Sequence, residues 1–260
     1  MLMSLQEPVL VEISGSVMHV IIQRPERLNA INFETHIKLS EAFDRFADDP
    51  DLIIATITGK GTRAFCVGTD LKERQEGGKD RIPETGFAGL TQRFNLNKPV
   101  VALVNGDAIG GGLEIVLACD LAISVDHARF GLPEPRVGLA ASGGLHRLSR
   151  YIPMKHAMEI ALKGNFFDAQ KALHYGLINQ VVKPVDFQKE TQDLLESLME
   201  CAPLALSATK QMLIRGSEIA SLKKAYQTKY TAFERMLASE DASEGTRAFL
   251  EKRKPIWTGN

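Results

Sequence analysis

The stretch that decides the fold is KPVVALVNGDAIGGGLEIVLAC, Lys98 to Cys119. It divides into three pieces. Residues 100–104 are a continuous apolar run between Pro99 and Asn105-Gly106, the pattern of a strand buried on both faces. A loop of small residues follows, ending in Gly110-Gly111-Gly112. A helix then begins, with Glu114 in its first turn and Ile115-Val116-Leu117-Ala118-Cys119 behind it. An earlier segment has the same shape: Ile53-Ile54-Ala55-Thr56-Ile57-Thr58-Gly59 aligns with Val100 to Gly106, 47 residues later. Either these are two ordinary buried strands, or they are copies of a stacked strand–loop–helix unit.

Outward from this centre, residues 9–13 and 17–22 predict a β-hairpin turning at Gly15, and Pro25 ends it. Residues 33–47 predict a helix with Leu39, Ala42, Phe43, Phe46 and Ala47 on one stripe, closed by Pro50. Residues 74–85 (RQEGGKDRIPET) are polar and glycine-rich and predict a mobile surface loop. Residues 86–95 predict a helix. Beyond Glu134 the pattern is mostly helical: 142–151, 153–163, 168–175, a strand at 178–182, then helices at 187–201 and 203–215. Ile219, Leu222, Tyr226, Phe233 and Leu237 stripe one long final helix. A boundary near Pro203 separates a core, 1–202, from a helical tail, 203–260, whose apolar stripe suits packing on a partner subunit.

The 260 residues suffice for one large domain that buries roughly three quarters of its unfolded surface. Lys and Arg number 31 against 32 Asp and Glu, which argues against a broad nucleic-acid binder. Cys66, Cys119 and Cys201 are scattered and lie in or near apolar runs, so they read as buried reduced thiols rather than a disulfide scaffold or zinc site. No apolar run approaches the ~20 residues of a membrane span, and the first ten residues lack a signal-peptide pattern, so a cytoplasmic protein is expected.

Three segments could carry chemistry. The glycine run before the helix leaves backbone N–H groups accessible at a helix N-terminus, a place for a developing oxyanion; a tight helix–sheet contact would need the same glycines. Glu114 sits in a helix of otherwise apolar or small residues, where burial raises a carboxyl pKa, although a contact with the helix dipole would place an acid there too. Glu134 lies between Pro133 and Pro135 in FGLPEP, and Pro135 predicts an extended backbone at Glu134. The segment AFCVGTDLK, 64–72, reads as a strand leading into a turn whose N–H groups could join Gly111 in an oxyanion pair. Read alone, Asp70 and Lys72 are solvated loop charges. His146 and His156 suggest no metal, and Ser142-Gly143-Gly144 lacks a nucleophile elbow.

Taken together, these segments resemble the crotonase family, also called the enoyl-CoA hydratase/isomerase family. The resemblance runs from about Val9 to Trp257. It is carried by Arg24-Pro25 before Asn29-Ala30, AFCVGTDL at 64–71, KPVVALVNGDAIGGGLE at 98–114, FGLPE at 130–134 and SEDASEGTRAFLEKRKPIW at 239–257. It implies an α/β fold, a spiral of ββα units followed by a C-terminal helical trimerisation region. It further implies an acyl-CoA thioester substrate, an enolate held by the N–H groups of Thr69 and Gly111, and catalysis by Glu114 and Glu134. An acyl group would pass close above Gly111. Coenzyme A contacts fall at Arg27, Leu28, Ala30, Asp70, Leu71 and Lys72, with Phe233 and Lys252 contributed by a neighbouring subunit.

The implied activity is that of an enoyl-CoA hydratase, a lyase of the fatty-acid metabolism type, assembled as a homotrimer or dimer of trimers. It needs no metal or cofactor beyond the coenzyme A of the substrate. The chain departs from the common hydratase pattern at 138–148, where a proline is missing and Leu145-His146 replaces Thr-Gln. Residues 86–100 look closer to crotonobetainyl-CoA hydratases of carnitine metabolism, the alternative along with a Δ3-Δ2-enoyl-CoA isomerase. An RNA-binding protein on the same scaffold would want a comb of lysines on an early helix, and 33–47 offers only Lys38 and Arg45 against Glu34, Glu41 and Asp44.

Overall fold

The computed structural model describes residues 7–75 and 82–260. Of the predicted loop 74–85, positions 76–81 lie outside the described residues. The chain opens with the hairpin of β1 (Val9–Ser14) and β2 (Val17–Ile22). Gly15 has φ +57° at the first position of the two-residue turn, where a type II′ turn calls for glycine. Then come α1 (Phe33–Asp48), β3 (Ile54–Gly59), β4 (Ala64–Cys66), α2 (Leu71–Gln75), β5 (Val100–Val104), β6 (Asp107–Ile109), α3 (Gly111–Ala118), β7 (Leu121–Val125) and β8 (Arg129–Gly131).

From β3 to β8 successive strands alternate between two sheets. One has the order β1-β2-β3-β5-β7-β10, the last being Gln180–Val182; the other runs β4-β6-β8-β9, the last being Phe167–Asp168. From β2 to β10 the larger sheet is parallel, and so are β4, β6 and β8. Each turn of the path therefore lays one strand on each sheet, as expected of a ββα spiral.

The repeat in the sequence marks where the chain crosses between sheets. A β-carbon on Gly59 would lie 2.2 Å from the Phe65 carbonyl oxygen, and one on Gly106 would lie 2.6 Å from the Ala64 nitrogen. Asn105 ties one turn to the last: its Oδ1 accepts from Gly59 N–H at 3.2 Å, and its Nδ2 donates to the carbonyls of Gly59 and Gly61. The core fills between the layers, with Met18, Phe43, Phe46, Phe65, Leu113 and Phe130 fully buried. Asn32 caps α1 by accepting from Thr35 N–H, and that helix buries Leu39, Ala42, Phe43 and Phe46. Lys38, on the same helix, pairs with Glu41 at 3.3 Å.

The helical portion comprises α4 (Leu145–Tyr151), α5 (Met154–Lys163), α6 (Ala169–His174), α7 (Phe187–Met199), α8 (Pro203–Ser217), α9 (Leu222–Gln227), α10 (Thr231–Leu237) and α11 (Glu240–Glu251). Several expectations are corrected here. The single long helix through Ile219 and Leu237 is two, because Thr228 and Tyr230 are extended. Residues 86–95 hold only a 3-10 turn, Phe87–Gly89, since Gly86, Ala88 and Gly89 take positive φ. Residues 71–75 are helical rather than loop. Cys201 is exposed, whereas Cys66 and Cys119 are buried as expected. The end of the chain is strapped to α11: Asp241 accepts from the N–H groups of Thr258 and Gly259, and Glu244 pairs with Arg247 and Arg253.

The crossing glycines give a direct test. Gly106→Ala forces a β-carbon into the backbone at 63–64 and should cost about 3 kcal/mol of stability. Urea unfolding should show a lower midpoint with an unchanged slope.

Candidate active site

The site begins with α3. All residues from Gly111 to Leu117 are buried, so this helix has no solvent face, and an acid on it must be buried too. Glu114 is 6% exposed. Gly143 and Gly144 flank it: β-carbons there would lie 3.0 Å from its Oε2 and 2.9 Å from its Cγ. Glu134 approaches from the other side, its Oε1 2.8 Å from where a β-carbon on Gly110 would stand. Glu134 opens a 3-10 turn, Glu134–Val137, instead of continuing an extended segment; Pro135 is accommodated at the second position of that turn.

Glu114 Oε1 and Glu134 Oε2 are buried and accept no hydrogen bond from the protein. Burial pushes the Glu114 carboxyl up to about 7, the Glu134 charge adds to this, and the N–H groups of Gly143 and Gly144 oppose it. Burial likewise raises the Glu134 carboxyl. Two carboxyls held this way can share one proton near neutrality and hold a water between them.

The Gly68-Thr69 backbone runs against the start of α3. A β-carbon on Gly68 would lie 2.9 Å from Gly111 N, so the two backbones touch. Gly111 is the first residue of α3, where helix geometry supplies no internal acceptor. Thr69 forms the bridge with Ile31, but the bonds of that bridge run from Ile31 N–H to Gly68 O and from Asp70 N–H to Ile31 O. Neither the Thr69 nor the Gly111 N–H has an acceptor among the described residues. Two such donors can hold an oxyanion.

Phe87 occupies the side of Gly111 from which a side chain would project. A β-carbon on Gly111 would meet the Phe87 ring at 2.4 Å, so this ring already covers it. Phe87 is held edge-on to His36, with centroids 4.7 Å apart, and Ala88 N–H donates to His36 Nδ1 at 3.1 Å. That bond accompanies an Ala88 φ of +55°, a strained value for alanine.

Six of the eight expected coenzyme A residues lie on two clasped segments, one after β2 and the other the turn and first residues of α2. Arg24 donates to Ala30 O at 2.6 Å and to Asp70 Oδ2 at 3.0 Å. The Ile31–Thr69 bridge joins the same segments. Arg27, Leu71 and Lys72 are exposed, Leu28 is half-buried with φ +53°, and Ala30 is buried. Asp70 is not the solvated charge its sequence context suggests; it is 7% exposed. Burial pushes its carboxyl up, but the Glu73 N–H and the Arg24 guanidinium more than offset this and hold it below the usual carboxylate value. Phe233 in α10 and Lys252 at the end of α11 share no hydrogen bond or ion pair with either segment. The sequence reading missed Arg24, His36, Phe87, Gly143 and Gly144 as parts of the site. Arg24-Pro25 and the Ser-Gly-Gly triplet were visible signals; nothing local marked His36 or Phe87.

Comparison with known proteins agrees with this geometry. Residues 12–260 match the family described as enoyl-CoA hydratase/isomerase. A protein named carnitinyl-CoA dehydratase from Proteus mirabilis is 42% identical over 255 residues, covering 94% of this chain and 96% of the relative. Its namesake from Escherichia coli K12 is 40% identical over 256 residues, covering 95% and 96%. Among solved structures, an enoyl-CoA hydratase from Mycobacterium tuberculosis superposes with TM-score 0.91 at 36% identity, covering 98% of this chain and 100% of that one. A carnitinyl-CoA hydratase from Mycobacterium avium gives 0.77 at 36% identity over the same coverage.

Burial of Glu114 has a consequence for stability. Its folded pKa is above the ordinary carboxylate value of 4.5, so the native state binds its proton more tightly than the unfolded chain does. Stability should therefore fall as pH rises from about 4.5 to about 7, on the order of 3 kcal/mol from this group. Glu114→Gln should raise Tm at pH 8, and the gain should shrink towards pH 5; a gain independent of pH would contradict the assignment.

Proposed function

The chain belongs to the enoyl-CoA hydratase/isomerase family, and from that premise we propose how it adds water reversibly across the C2=C3 bond of a 2-enoyl-CoA thioester. The observation that carries the reading is the pair of buried oxygens on Glu114 and Glu134 without a partner among the described residues, together with the N–H groups of Thr69 and Gly111, which have no acceptor among those residues. Addition of hydroxyl at C3 moves charge onto the thioester oxygen. The two N–H donors receive that charge, each contributing about 3 kcal/mol by analogy with other oxyanion holes. One water bound by both carboxyls supplies hydroxyl to C3, and a proton passes through the pair to C2. The pair begins and ends with the same number of protons, so acid and base are roles of the pair. Two acids suit hydration better than isomerisation, which needs only one. The chemistry consumes water alone, and coenzyme A enters as part of the substrate.

In this reading Arg27, Leu28, Ala30, Asp70, Leu71 and Lys72 receive coenzyme A, with Asp70 acting through Arg24 to hold the two segments together. A second reading concerns the acyl group. Relatives named for carnitinyl-CoA favour a substrate bearing a trimethylammonium group.

Glu114→Gln and Glu134→Gln should each lower turnover about 10²-fold or more while acyl-CoA binding stays within a few-fold. The double variant should lose less than the product of the two. Loss of the enoyl thioester absorbance measures this, and near-normal turnover in either variant would overturn the two-carboxylate mechanism.

The tail, 203–260, serves as the assembly surface in this proposal and brings Phe233 and Lys252 to a neighbour's site. Leu222, Tyr226, Phe249 and Leu250 are 72%, 85%, 83% and 74% exposed, more apolar surface than a monomer ordinarily leaves in water. Sedimentation should give a trimer or hexamer. A monomer at micromolar concentration would remove the tail's role and both cross-subunit contacts.

A further inference from the structure

A cavity of about 530 Å³ opens where the catalytic carboxylate ends. Gly143 lines it and also touches Glu114 Oε2, and Ala118 lines it one helical turn beyond Glu114 on the same face of α3. The cavity therefore lies within reach of an acyl chain that runs past Glu114 along α3. Its walls are basic: Arg93, Arg147, Arg150, Lys210 and Arg215 face only two carboxylates, Asp120 and Glu218. Some of that charge is spent. Lys210 pairs with Asp120 at 2.6 Å, and Arg93 pairs with Asp44, outside the cavity, at 2.7 Å. Arg147, Arg150 and Arg215 form no ion pair among the described residues; Arg147 donates to the Thr91 carbonyl and bonds the Tyr151 side chain, and Arg150 donates to the His146 carbonyl. Of the two aromatic rings in the wall, Phe94 already carries a cation, the Arg147 guanidinium lying over it at 5.6 Å; the other is Tyr151.

We propose that this cavity receives the far end of the acyl group and selects one that ends in a carboxylate. The proposal rests on the hydratase reading above and names its substrate class: a 2-enoyl-CoA whose acyl chain carries a free terminal carboxylate. Unpaired guanidiniums in a partly enclosed space attract a carboxylate through charge-assisted hydrogen bonds. A trimethylammonium end would face three guanidiniums without an ion pair against one such carboxylate, Glu218.

The test uses three trans-2-enoyl-CoA thioesters of equal length, ending in methyl, carboxylate and trimethylammonium, with kcat/KM measured for each. The carboxylate-ended substrate should exceed the methyl-ended one about tenfold, the size of one charge-assisted bond, and the trimethylammonium one should be poorest. The double substitution Arg150→Met with Arg215→Met changes two exposed side chains. It should erase the carboxylate preference and leave the methyl-ended substrate within about twofold, a change expected of surface positions. Calorimetric binding of the corresponding saturated acyl-CoAs reads the cavity without chemistry. The same ranking there with no hydration of any substrate would uphold the cavity proposal and sink the hydratase reading. Equal or better use of the trimethylammonium substrate, or a carboxylate preference untouched by the double substitution, would overturn the proposal.

Discussion

The contact on which the site depends is the approach of the α3 N-terminus to the end of β4. A β-carbon on Gly112 would stand 1.9 Å from the Cys66 carbonyl oxygen, so only glycine permits this distance. That approach sets the Gly68-Thr69 backbone against Gly111 and buries the first turn of α3. Two N–H donors and one carboxylate are thereby placed by backbone packing alone. The core supports the contact from below through Phe65, Leu113 and Phe130, which are fully buried.

The arrangement is costly in isolation. A buried carboxyl, Glu114, stands in the field of a half-buried one, Glu134, with an oxygen on each lacking a donor among the described residues, and such groups cost about 1–3 kcal/mol apiece. Raised pKa values relieve part of that cost by letting the pair keep a proton. Nearby, Ala88 sits in a left-handed conformation that His36 helps to hold, and the result is a Phe87 ring lying on Gly111. Strain and unpaired polarity thus gather where chemistry is proposed, while the larger sheet keeps a continuous register.

In the proposed reading, the reaction and the acyl group are set by different parts of the molecule. The oxyanion donors and the two acids lie on the spiral itself, in segments whose glycines leave little freedom. The cavity wall is built from the irregular 90–97 segment, α4 and the end of α8, where side chains can change without disturbing the sheets. Relatives about 40% identical can therefore share the one and differ in the other.

The sequence by itself determined what depends on neighbours along the chain. The hairpin, α1, the two alike strands and the glycine-led helix all follow from period, turn residues and caps. Glu114 and Glu134 were legible because an acid in an apolar helix and an acid between prolines are local anomalies. Tertiary structure alone decided the rest. Burial of Asp70 depends on Arg24, 46 residues away. The long final helix breaks at residues 228–230, and Tyr230 is buried there, its hydroxyl donating to the Ala225 carbonyl at 3.0 Å. Residues 86–95 give up a helix because positive φ at Gly86, Ala88 and Gly89 lets Phe87 reach Gly111. Each of these outcomes turns on which distant groups meet, and periodicity carries no information about contacts between distant segments.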